Sequence, residues 1–247
     1  MRLLVDVGNT RIKWALQHSA GPGPSQAQAY TIPTLPRLLE HCWHDMTAPR
    51  QVCIANVGGV EAAGILSRYC RERWQQEPAF ARVQAEQGGV INAYTDIGQL
   101  GIDRWLAIVA AWNKYHAPLL VAGCGTALTL DAVDGQGRHL GGLIIPGLRL
   151  LQDSLQSGTR GIAAATLAPP ALGLGTSTAE CIAMGAANAL VSTIERVAGE
   201  LHERFGTGLR RLIMGGDAAV LNGLLQQPFT MEPSLVLEGL ALSDVSV

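Results

Sequence analysis

The strongest constraint on the fold of this chain is a pattern that occurs twice in the sequence. In each copy an apolar run enters a short turn of small and polar residues, and a second, alternating run leaves it. The first copy spans residues 3–15 with its turn at 8–10, and the second spans 118–131 with its turn at 125–126. Each copy is typical of a β-hairpin. Two copies about half a chain apart predict a duplicated architecture.

Elsewhere in the chain, strand patterns alternate with helix patterns, which favours an α/β fold over an all-β fold. The pattern predicts helices at 35–43, 60–77, 103–115 and 148–158, and strands at 51–57, 140–146 and 210–213. It also predicts a loop or a loosely held edge segment at 19–36, a loop at 161–174, and a long helix that begins within 175–180 and ends near 205. The helix at 60–77 has four expected core residues, which are Ala63, Ile65, Leu66 and Tyr69. The break between the halves falls near residues 114–118, so the predicted domains are 1–117 and 118–247.

Composition narrows the class of function. The chain has 247 residues, of which 48% are hydrophobic and 15% charged, and this composition fits a compact protein with a sizeable core. Its formal net charge is −2, and it has no long basic or acidic block. A general nucleic-acid binder needs a basic surface, so we expect no nucleic-acid partner and favour small-molecule chemistry.

Cysteine usage and the hydrophobic runs predict a cytoplasmic protein. The five cysteines are scattered, with no CxxC pair and no zinc-site spacing, which indicates reduced thiols rather than a disulfide framework. The N-terminal apolar run is interrupted by Asp6 and Asn9, so it is too short and too polar for a signal peptide or a membrane span. No other stretch reaches membrane length, and we expect no membrane partner.

The first turn can be interpreted in two ways. Gly8 allows the backbone to approach a ligand closely, and the side chains of Asn9 and Thr10 can donate hydrogen bonds. Asp6 could orient a hydrated Mg²⁺ ion near nucleotide phosphates, with Lys13 adding positive charge. The same residues also make an ordinary hairpin with a turn-stabilising aspartate. From this stretch alone the two interpretations are equally supported.

Two helix starts are similarly open. Asp103 lies at or just inside the start of a predicted helix, where aspartate is a frequent N-cap. For an isolated aspartate, we prefer the interpretation as a plain N-cap. Ser177 or Thr178 could cap the long helix, and the free amides there would attract an anion, although a plain cap needs no ligand.

The chain contains no GxxxxGK[ST] loop, GxGxxG fingerprint, GxSxG elbow or HExxH motif. A nucleotide would therefore have to be bound without a P-loop.

Taken together, five motifs in this order resemble type III pantothenate kinase, a family of the actin-like, sugar kinase and Hsp70 ATPase superfamily. They are Asp6-x-Gly8-Asn9-Thr10-x-x-Lys13, Gly101-x-Asp103-Arg104, Gly125-Thr126-Ala127-x-Thr129-x-Asp131, Thr178 seven residues before Gly185, and Gly215-Gly216-Asp217. The resemblance covers nearly the full length. It implies two RNase H-like α/β halves, each with a mixed sheet and flanking helices, and an ATP cleft between them. It also implies a homodimer whose interface helps to form the pantothenate pocket.

The resemblance assigns expected roles to individual residues. The residues expected to bind Mg-ATP are Asp6, Val7, Gly8, Asn9, Thr10, Arg11, Ile12, Lys13, Gly125 and Thr126. Asp6 is expected to hold Mg²⁺ through water. The residues expected to bind pantothenate are Tyr94, Gly101, Ile102, Asp103, Arg104 and Thr178. Asp103 takes the place of the general base, and this reverses the preference for a plain N-cap.

One position departs from the family pattern. The family commonly has an aspartate three residues before the threonine of the second turn, where it helps to bind a monovalent cation. This chain has Gly123 there. The family's need for K⁺ or NH₄⁺ is therefore either weakened in this protein or met by backbone carbonyls and other side chains.

The reaction implied is transfer of the γ-phosphoryl group of ATP to the primary hydroxyl of pantothenate, which gives 4′-phosphopantothenate in the first step of coenzyme A synthesis. Two alternatives stay open. The first is another phosphotransferase of the actin-like fold, acting on a sugar or a small acid. The second is a regulatory protein that keeps the fold and acts through partners, by analogy with family members first described as accessory factors for transcription.

Overall fold

The computed structural model of the protein describes residues 1–19, 21–159 and 168–243. The predicted loop at 161–174 therefore lies partly outside the described residues. The chain forms two compact units. The first contains Met1–Lys114 together with residues 234–243, and the second contains Tyr115–Pro233. The domain division predicted at residue 117 stays a prediction, but these units separate three residues earlier, and the C-terminal helix packs in the first unit.

The helices and strands follow the predicted alternation. The strands are β1 (Arg2–Val7), β2 (Arg11–His18), β3 (Gly21–Pro22), β4 (Gln26–Ala29), β5 (Gln51–Asn56), β6 (Ala79–Phe80), β7 (Glu86–Gln87), β8 (Val90–Ile91), β9 (Leu119–Cys124), β10 (Ala127–Val133), β11 (His139–Pro146), β12 (Arg210–Met214) and β13 (Thr230–Met231). The helices are α1 (Leu35–Trp43), α2 (Gly59–Trp74), α3 (Ile102–Tyr115), α4 (Leu148–Gly158), α5 (Thr178–Phe205), α6 (Ala218–Leu224) and α7 (Leu235–Leu242), with short 3₁₀ turns at Ile32–Thr34, Ile97–Gln99 and Gly206–Gly208.

The first unit is built on a mixed sheet with the strand order β3-β2-β1-β5-β6, and β4 also pairs with β2. The predicted hairpin is confirmed, because β1 and β2 pair antiparallel with Val7 opposite Ile12. Strand β1 pairs parallel with β5 on its other side. A central strand covered on both faces should be apolar throughout, and residues 3–5 and 7 of β1 are fully buried. A separate small hairpin joins β7 to β8.

Aromatic residues fill much of the core of the first unit. Leu35, Leu39 and Trp43 recur every four residues on α1, so they form one buried stripe. Trp43 is fully buried and stacks on Trp74 of α2 with ring centroids 5.9 Å apart. These contacts hold both helices against the sheet that carries the first turn.

The second unit repeats the plan with the strand order β11-β10-β9-β12-β13. Strands β9 and β10 form the second predicted hairpin, and β12 runs parallel to β9. The long helix α5 packs its apolar side against this sheet, with Ala187, Leu190 and Ile194 fully buried. Duplication of the hairpin in the sequence is therefore matched by a sheet of similar order in each unit.

Helix α5 starts at a capping box. The Ser177 hydroxyl accepts a hydrogen bond from the Glu180 amide at 3.3 Å, and the Glu180 carboxylate accepts from the Ser177 amide at 3.1 Å. The cap is thus Ser177 rather than Thr178.

None of the helices within the described ranges combines the length and the apolar character needed to cross a membrane.

Candidate active site

The first turn is anchored at its base and open at its tip. Val7 and Ile12 are fully buried on either side of it, and the Gly8 amide donates to the carbonyl oxygen of Arg11 at 2.9 Å. Asn9, Thr10 and Arg11 are exposed. Two strands in the core therefore hold a short loop with its polar groups at the surface, which is the arrangement that the phosphate interpretation requires.

Asp6 is a buried carboxylate directly below this turn. It lies opposite Lys13 in the β1–β2 register and is only 9% exposed. Burial raises the pKa of Asp6 to about 7, the positive charge of Lys13 opposes this shift, and the negative charge of Asp103 adds to it. A carboxyl group with such a pKa is a feature of functional sites more often than of ordinary hairpins.

The residues present suit a magnesium ion that arrives with a nucleotide. Mg²⁺ in phosphate sites takes most of its ligands from water and phosphate and only one or two from carboxylates. Within the described ranges of the chain, no cluster of three or more His, Cys, Asp or Glu side chains could hold a metal ion. Asp6 supplies a single carboxylate at the carboxyl end of β1. The site therefore fits Mg²⁺ bound with phosphates and does not fit a metal held by protein ligands alone.

Asp103 lies in the first turn of α3. The helix begins at Ile102, and the Gly101 carbonyl accepts the first helical hydrogen bond from the Trp105 amide at 3.0 Å. The interpretation of Asp103 as the N-cap is therefore wrong. Its Oδ1 accepts from the Arg104 amide at 2.9 Å. A Cβ on Gly101 would lie 2.7 Å from this oxygen, so the glycine of the Gly-x-Asp-Arg motif makes room for the carboxylate.

Arg104 and Tyr94 meet beside Asp103. The Arg104 side chain is only 4% exposed, and its Nη1 donates to the hydroxyl of Tyr94 at 3.1 Å. The guanidinium carbon also lies 5.9 Å from the centre of the Tyr94 ring. The amide of Tyr94 donates to the side chain of Asn92, which holds the loop before α3. The first unit thus brings together Tyr94 and Arg104 of the Gly-x-Asp-Arg motif, and their expected joint binding of pantothenate stays a prediction.

The second turn is held from outside its own hairpin. The Gly125 amide donates to the carbonyl oxygen of Ala127 at 3.0 Å, and the Gly147 amide donates to that of Thr126 at 2.9 Å. A Cβ on Gly147 would lie 2.2 Å from the carbonyl oxygen of Gly125, so only glycine fits there. Gly147 follows β11 directly, and the end of that strand therefore fixes the turn.

Position 123 does not fit the monovalent-cation site that the resemblance implies. Gly123 pairs with Thr129 across the β9–β10 ladder. A Cβ on Gly123 would lie 2.5 Å from Oγ1 of Thr129 and 3.5 Å from Cε of Met214. The space that an aspartate would use is thus taken by a hydroxyl and a methyl group, and no carboxylate is supplied from this position.

Thr178 lies in the second unit, at the first position of α5, where its side chain is exposed. It lines a cavity of about 480 Å³ together with Leu155, Gly175, Thr176, Ser177, Cys181 and Ile182. The cavity is an open depression beside the N-terminus of α5. The expected joint action of Thr178 and Asp103 on one substrate stays a prediction.

Sequence reasoning missed two residues that hold the turns. Tyr30 contacts the first turn, and Gly147 contacts the second. Tyr30 lies in a segment rich in Ala, Gly, Pro, Ser and Gln, for which the sequence predicts a loop or a loosely held edge segment. The edge alternative is correct for β3 and β4, which pair with β2. The tyrosine at the end of this polar segment could have indicated such a contact, because a buried tyrosine hydroxyl usually has a hydrogen-bond partner.

Comparison with solved structures defines the class of fold. The activator of the 2-hydroxyisocaproyl-CoA dehydratase from Clostridium difficile, solved with bound ADPNP, superposes with a TM-score of 0.52. The alignment covers 98% of this chain and 92% of that one, at 12% sequence identity. Identity this low supports the fold alone. The predicted α/β fold, with a mixed sheet and helices in each unit, is confirmed.

Sequence comparison defines the family. The family model for type III pantothenate kinase matches residues 2–200. A type III pantothenate kinase of Nitrosococcus oceani is 37% identical over 246 residues, covering 98% of this chain and 92% of that protein. Another from Dichelobacter nodosus is 35% identical and covers 97% of this chain and 96% of that protein. The chain belongs to the type III pantothenate kinase family.

Proposed function

We propose that this chain transfers the γ-phosphoryl group of ATP to the primary hydroxyl of pantothenate, with Asp103 as the general base. Family membership makes it an ATP-dependent pantothenate kinase. The observation that carries the assignment of the base is electrostatic. Asp6 and Asp103, about a hundred residues apart in sequence, are close enough in the first unit for the charge of one to raise the pKa of the other. This electrostatic effect supports the proposal that Asp103 accepts the proton of the acceptor hydroxyl near the nucleotide turn.

Asp103 would accept the hydroxyl proton as the oxygen attacks in line. Phosphoryl transfer passes through a loose transition state, so the base needs little strength until late and an ordinary carboxylate suffices. The Arg104 amide holds Oδ1 of Asp103 at 2.9 Å, which orients the carboxyl group before substrate binds. Gly101 leaves the space for this conformation.

The two turns would hold the phosphates of Mg-ATP. In the first turn, the exposed residues Asn9, Thr10 and Arg11 present donors and positive charge, with Lys13 below them. In the second turn, Thr126 is held by Gly147. Bound Mg²⁺ would neutralise phosphate charge, and Asp6 would hold it through water. Positioning and charge stabilisation are the main contributions that a kinase site makes.

Tyr94, Arg104 and Thr178 would bind pantothenate. Pantothenate ends in a carboxylate and carries two hydroxyl groups, and a buried guanidinium is suited to recognise either kind of oxygen. Because Arg104 is held by Tyr94, its planar donors keep one orientation. Thr178 would contribute a hydroxyl from the cavity at the start of α5.

We propose that no monovalent cation is bound through position 123. The absence of a carboxylate there and the contact between Gly123 and Thr129 support this. The reaction would then proceed without added K⁺ or NH₄⁺.

We also propose a cytoplasmic homodimer. Strand β11 is at the edge of the second unit's sheet as described, and Leu143 and Ile144 on it are 40% and 62% exposed. Neighbouring residues point to opposite faces of a strand, so both faces of this edge present apolar surface. Long apolar edges tend to pair or to be covered, and a second copy of the chain would cover this one.

The function is tested by a coupled assay of ATP consumption with pantothenate as the acceptor. Pantothenate should support turnover, whereas a panel of sugars and small hydroxy acids should not. Turnover with a sugar instead would favour another phosphotransferase. ATP binding without phosphorylation of any acceptor, with or without K⁺ and NH₄⁺, would favour a regulatory protein.

The Asp103→Asn variant should keep nucleotide affinity within about twofold and lose at least about a hundredfold in kcat, because only the proton acceptor is removed. Steady-state kinetics and calorimetric titration with Mg-ADP measure the two effects. The matched control is Asp96→Asn, which removes a carboxylate from the same unit but leaves an amide able to cap the Ile97–Gln99 turn. Near-normal turnover of Asp103→Asn would refute the assignment of the base.

A further inference from the structure

The carbonyl group of Gly8, at the start of the first turn, is held by a residue outside the hairpin. The hydroxyl of Tyr30 donates to the Gly8 carbonyl oxygen at 2.6 Å. The Tyr30 amide donates to the carbonyl oxygen of Thr10 at 3.1 Å. Tyr30 therefore binds the turn at both ends. Tyr30 is 8% exposed and Gly8 is half-buried, so this hydrogen bond is partly shielded from competing water.

Gly58 packs against the hydrogen bond between Tyr30 and Gly8. A Cβ on Gly58 would lie 2.4 Å from the Tyr30 hydroxyl and 3.1 Å from the Gly8 carbonyl oxygen. Gly58 is itself held, because its amide donates to the side chain of Asn56 at 3.0 Å. The Asn56 side chain also donates to the carbonyl oxygen of Gly59 at 3.0 Å. The turn after β5 thus has the shape that the Tyr30 hydroxyl needs.

The hydrogen bond fixes a peptide plane. In a planar trans peptide, the carbonyl of one residue and the amide of the next point in opposite directions. The Gly8–Asn9 peptide is trans, and its carbonyl is directed at the buried Tyr30 hydroxyl. The Asn9 amide is therefore directed away from the core. Asn9 is exposed, and its amide donates to no acceptor within the described chain.

We propose that Tyr30 is a positioning residue that directs the Asn9 amide toward a phosphate group of the bound nucleotide. This inference rests on the proposed function. Burial, and then the charge of Asp6, raise the pKa of Tyr30, so the phenol keeps the proton that it donates to Gly8. A preoriented amide loses no hydrogen bond within the protein when it binds an anion, and a hydrogen bond to a charged acceptor is among the stronger ones.

The test is the Tyr30→Phe variant, which removes the hydroxyl and keeps the ring. The KM for ATP and the Kd for Mg-ADP should rise about tenfold, while the KM for pantothenate changes little. The melting temperature should fall by only a few degrees, because one hydrogen bond is lost. General loosening of the unit would not separate the two substrates in this way. The control is Tyr69→Phe, which removes another buried hydroxyl of the same unit, next to Trp43 and Trp74.

A second variant keeps the test decisive if Tyr30→Phe does not fold. Gly58→Ala leaves Tyr30 intact but places a methyl group against its hydroxyl, so it should weaken Mg-ADP binding in the same direction. An unchanged KM for ATP in a folded Tyr30→Phe variant, or an equal rise for both substrates, would overturn the inference. Wild-type protein that binds no Mg-ADP would instead contradict the proposed function.

Discussion

Asp6 shows how one residue acquires its chemistry from its surroundings. Its carboxyl group is buried at the end of β1, with Lys13 opposite and Asp103 within electrostatic reach. Burial outweighs the attraction of one lysine, and the pKa rises from 3.8 to about 7. In the absence of Mg-ATP, ionisation of the buried Asp6 carboxyl group therefore destabilises the folded state. Binding of cationic Mg²⁺ at the phosphates would compensate for that charge.

The Asp6→Asn variant tests how far ionisation of Asp6 lowers the free energy of unfolding, in protein free of nucleotide and metal. Because the folded state holds the proton up to about pH 7 and the unfolded state releases it near pH 4, wild-type stability should fall relative to the variant across this window. Across this window, the free energy of unfolding of wild type relative to the variant should fall by about 4 kcal/mol at most, and it should stay constant at higher pH. Urea unfolding of both proteins from pH 4 to pH 8 measures it, and a pH-independent difference would contradict the raised pKa.

At the scale of elements, the helices show which predictions needed tertiary contacts. Helix α1 was predicted with its observed ends, because its leucine and tryptophan spacing is unambiguous. Helix α2 ends at Trp74, three residues earlier than predicted, since Gln75 adopts a left-handed conformation with φ of 57°. Its buried residues are Ala62, Leu66, Cys70 and Trp74. Only Leu66 of the four expected residues is fully buried, because the stacking of Trp74 on Trp43 sets the rotation of the helix.

The contact between Gly123 and Thr129 in the β9–β10 ladder is the basis of the proposal that no monovalent cation is needed. Phosphorylation of pantothenate should proceed at the same rate, within about twofold, in potassium, ammonium or tetramethylammonium chloride of equal ionic strength, and the melting temperature should not differ between these salts. The physical reason is that Gly123 supplies no carboxylate and Thr129 takes up the space. Strong activation or stabilisation by K⁺ would contradict this expectation.

Variants at the same position test the contact itself. Gly123→Asp should cost about 1–3 kcal/mol of stability, because its Cβ would overlap Oγ1 of Thr129. The double variant Gly123→Asp with Thr129→Ala should recover much of that loss, since it removes the overlapping oxygen. Thermal and urea unfolding measure both, and equal stability of the two variants would show that the hydroxyl does not obstruct the position.

At the scale of the whole molecule, the apolar edge at β11 bears on assembly. Ile144→Lys should convert a dimer to a monomer without loss of monomer stability, because the side chain is 62% exposed within one chain. Sedimentation velocity over about a hundredfold range of concentration measures the mass. The control is Val60→Lys, which places the same charge at an 89% exposed position of the first unit. A wild-type protein that stays monomeric throughout would contradict the proposal.

Local patterns in the sequence were enough to predict both hairpins, the ends of α1 and α4, and the residues of the two turns. These features depend on strand alternation, turn chemistry and helix periodicity, which act over a few neighbouring positions. Local patterns did not predict the helix α7 or the short strands β6, β7, β8 and β13. The family motifs also predict that Asp103, Arg104 and Tyr94 belong to one site. In the structure, Nη1 of Arg104 lies 3.1 Å from the hydroxyl oxygen of Tyr94. The assigned roles of these residues stay predictions.

The residues that hold the two turns come from elsewhere in the chain. Tyr30 and Gly58 reach the first turn, and Gly147 reaches the second, from segments without a motif of their own. The raised pKa of Asp6 and the filled space at Gly123 likewise depend on burial and on side chains from other strands. Such effects arise from contacts between remote parts of the chain, and a pattern read along the sequence does not contain them.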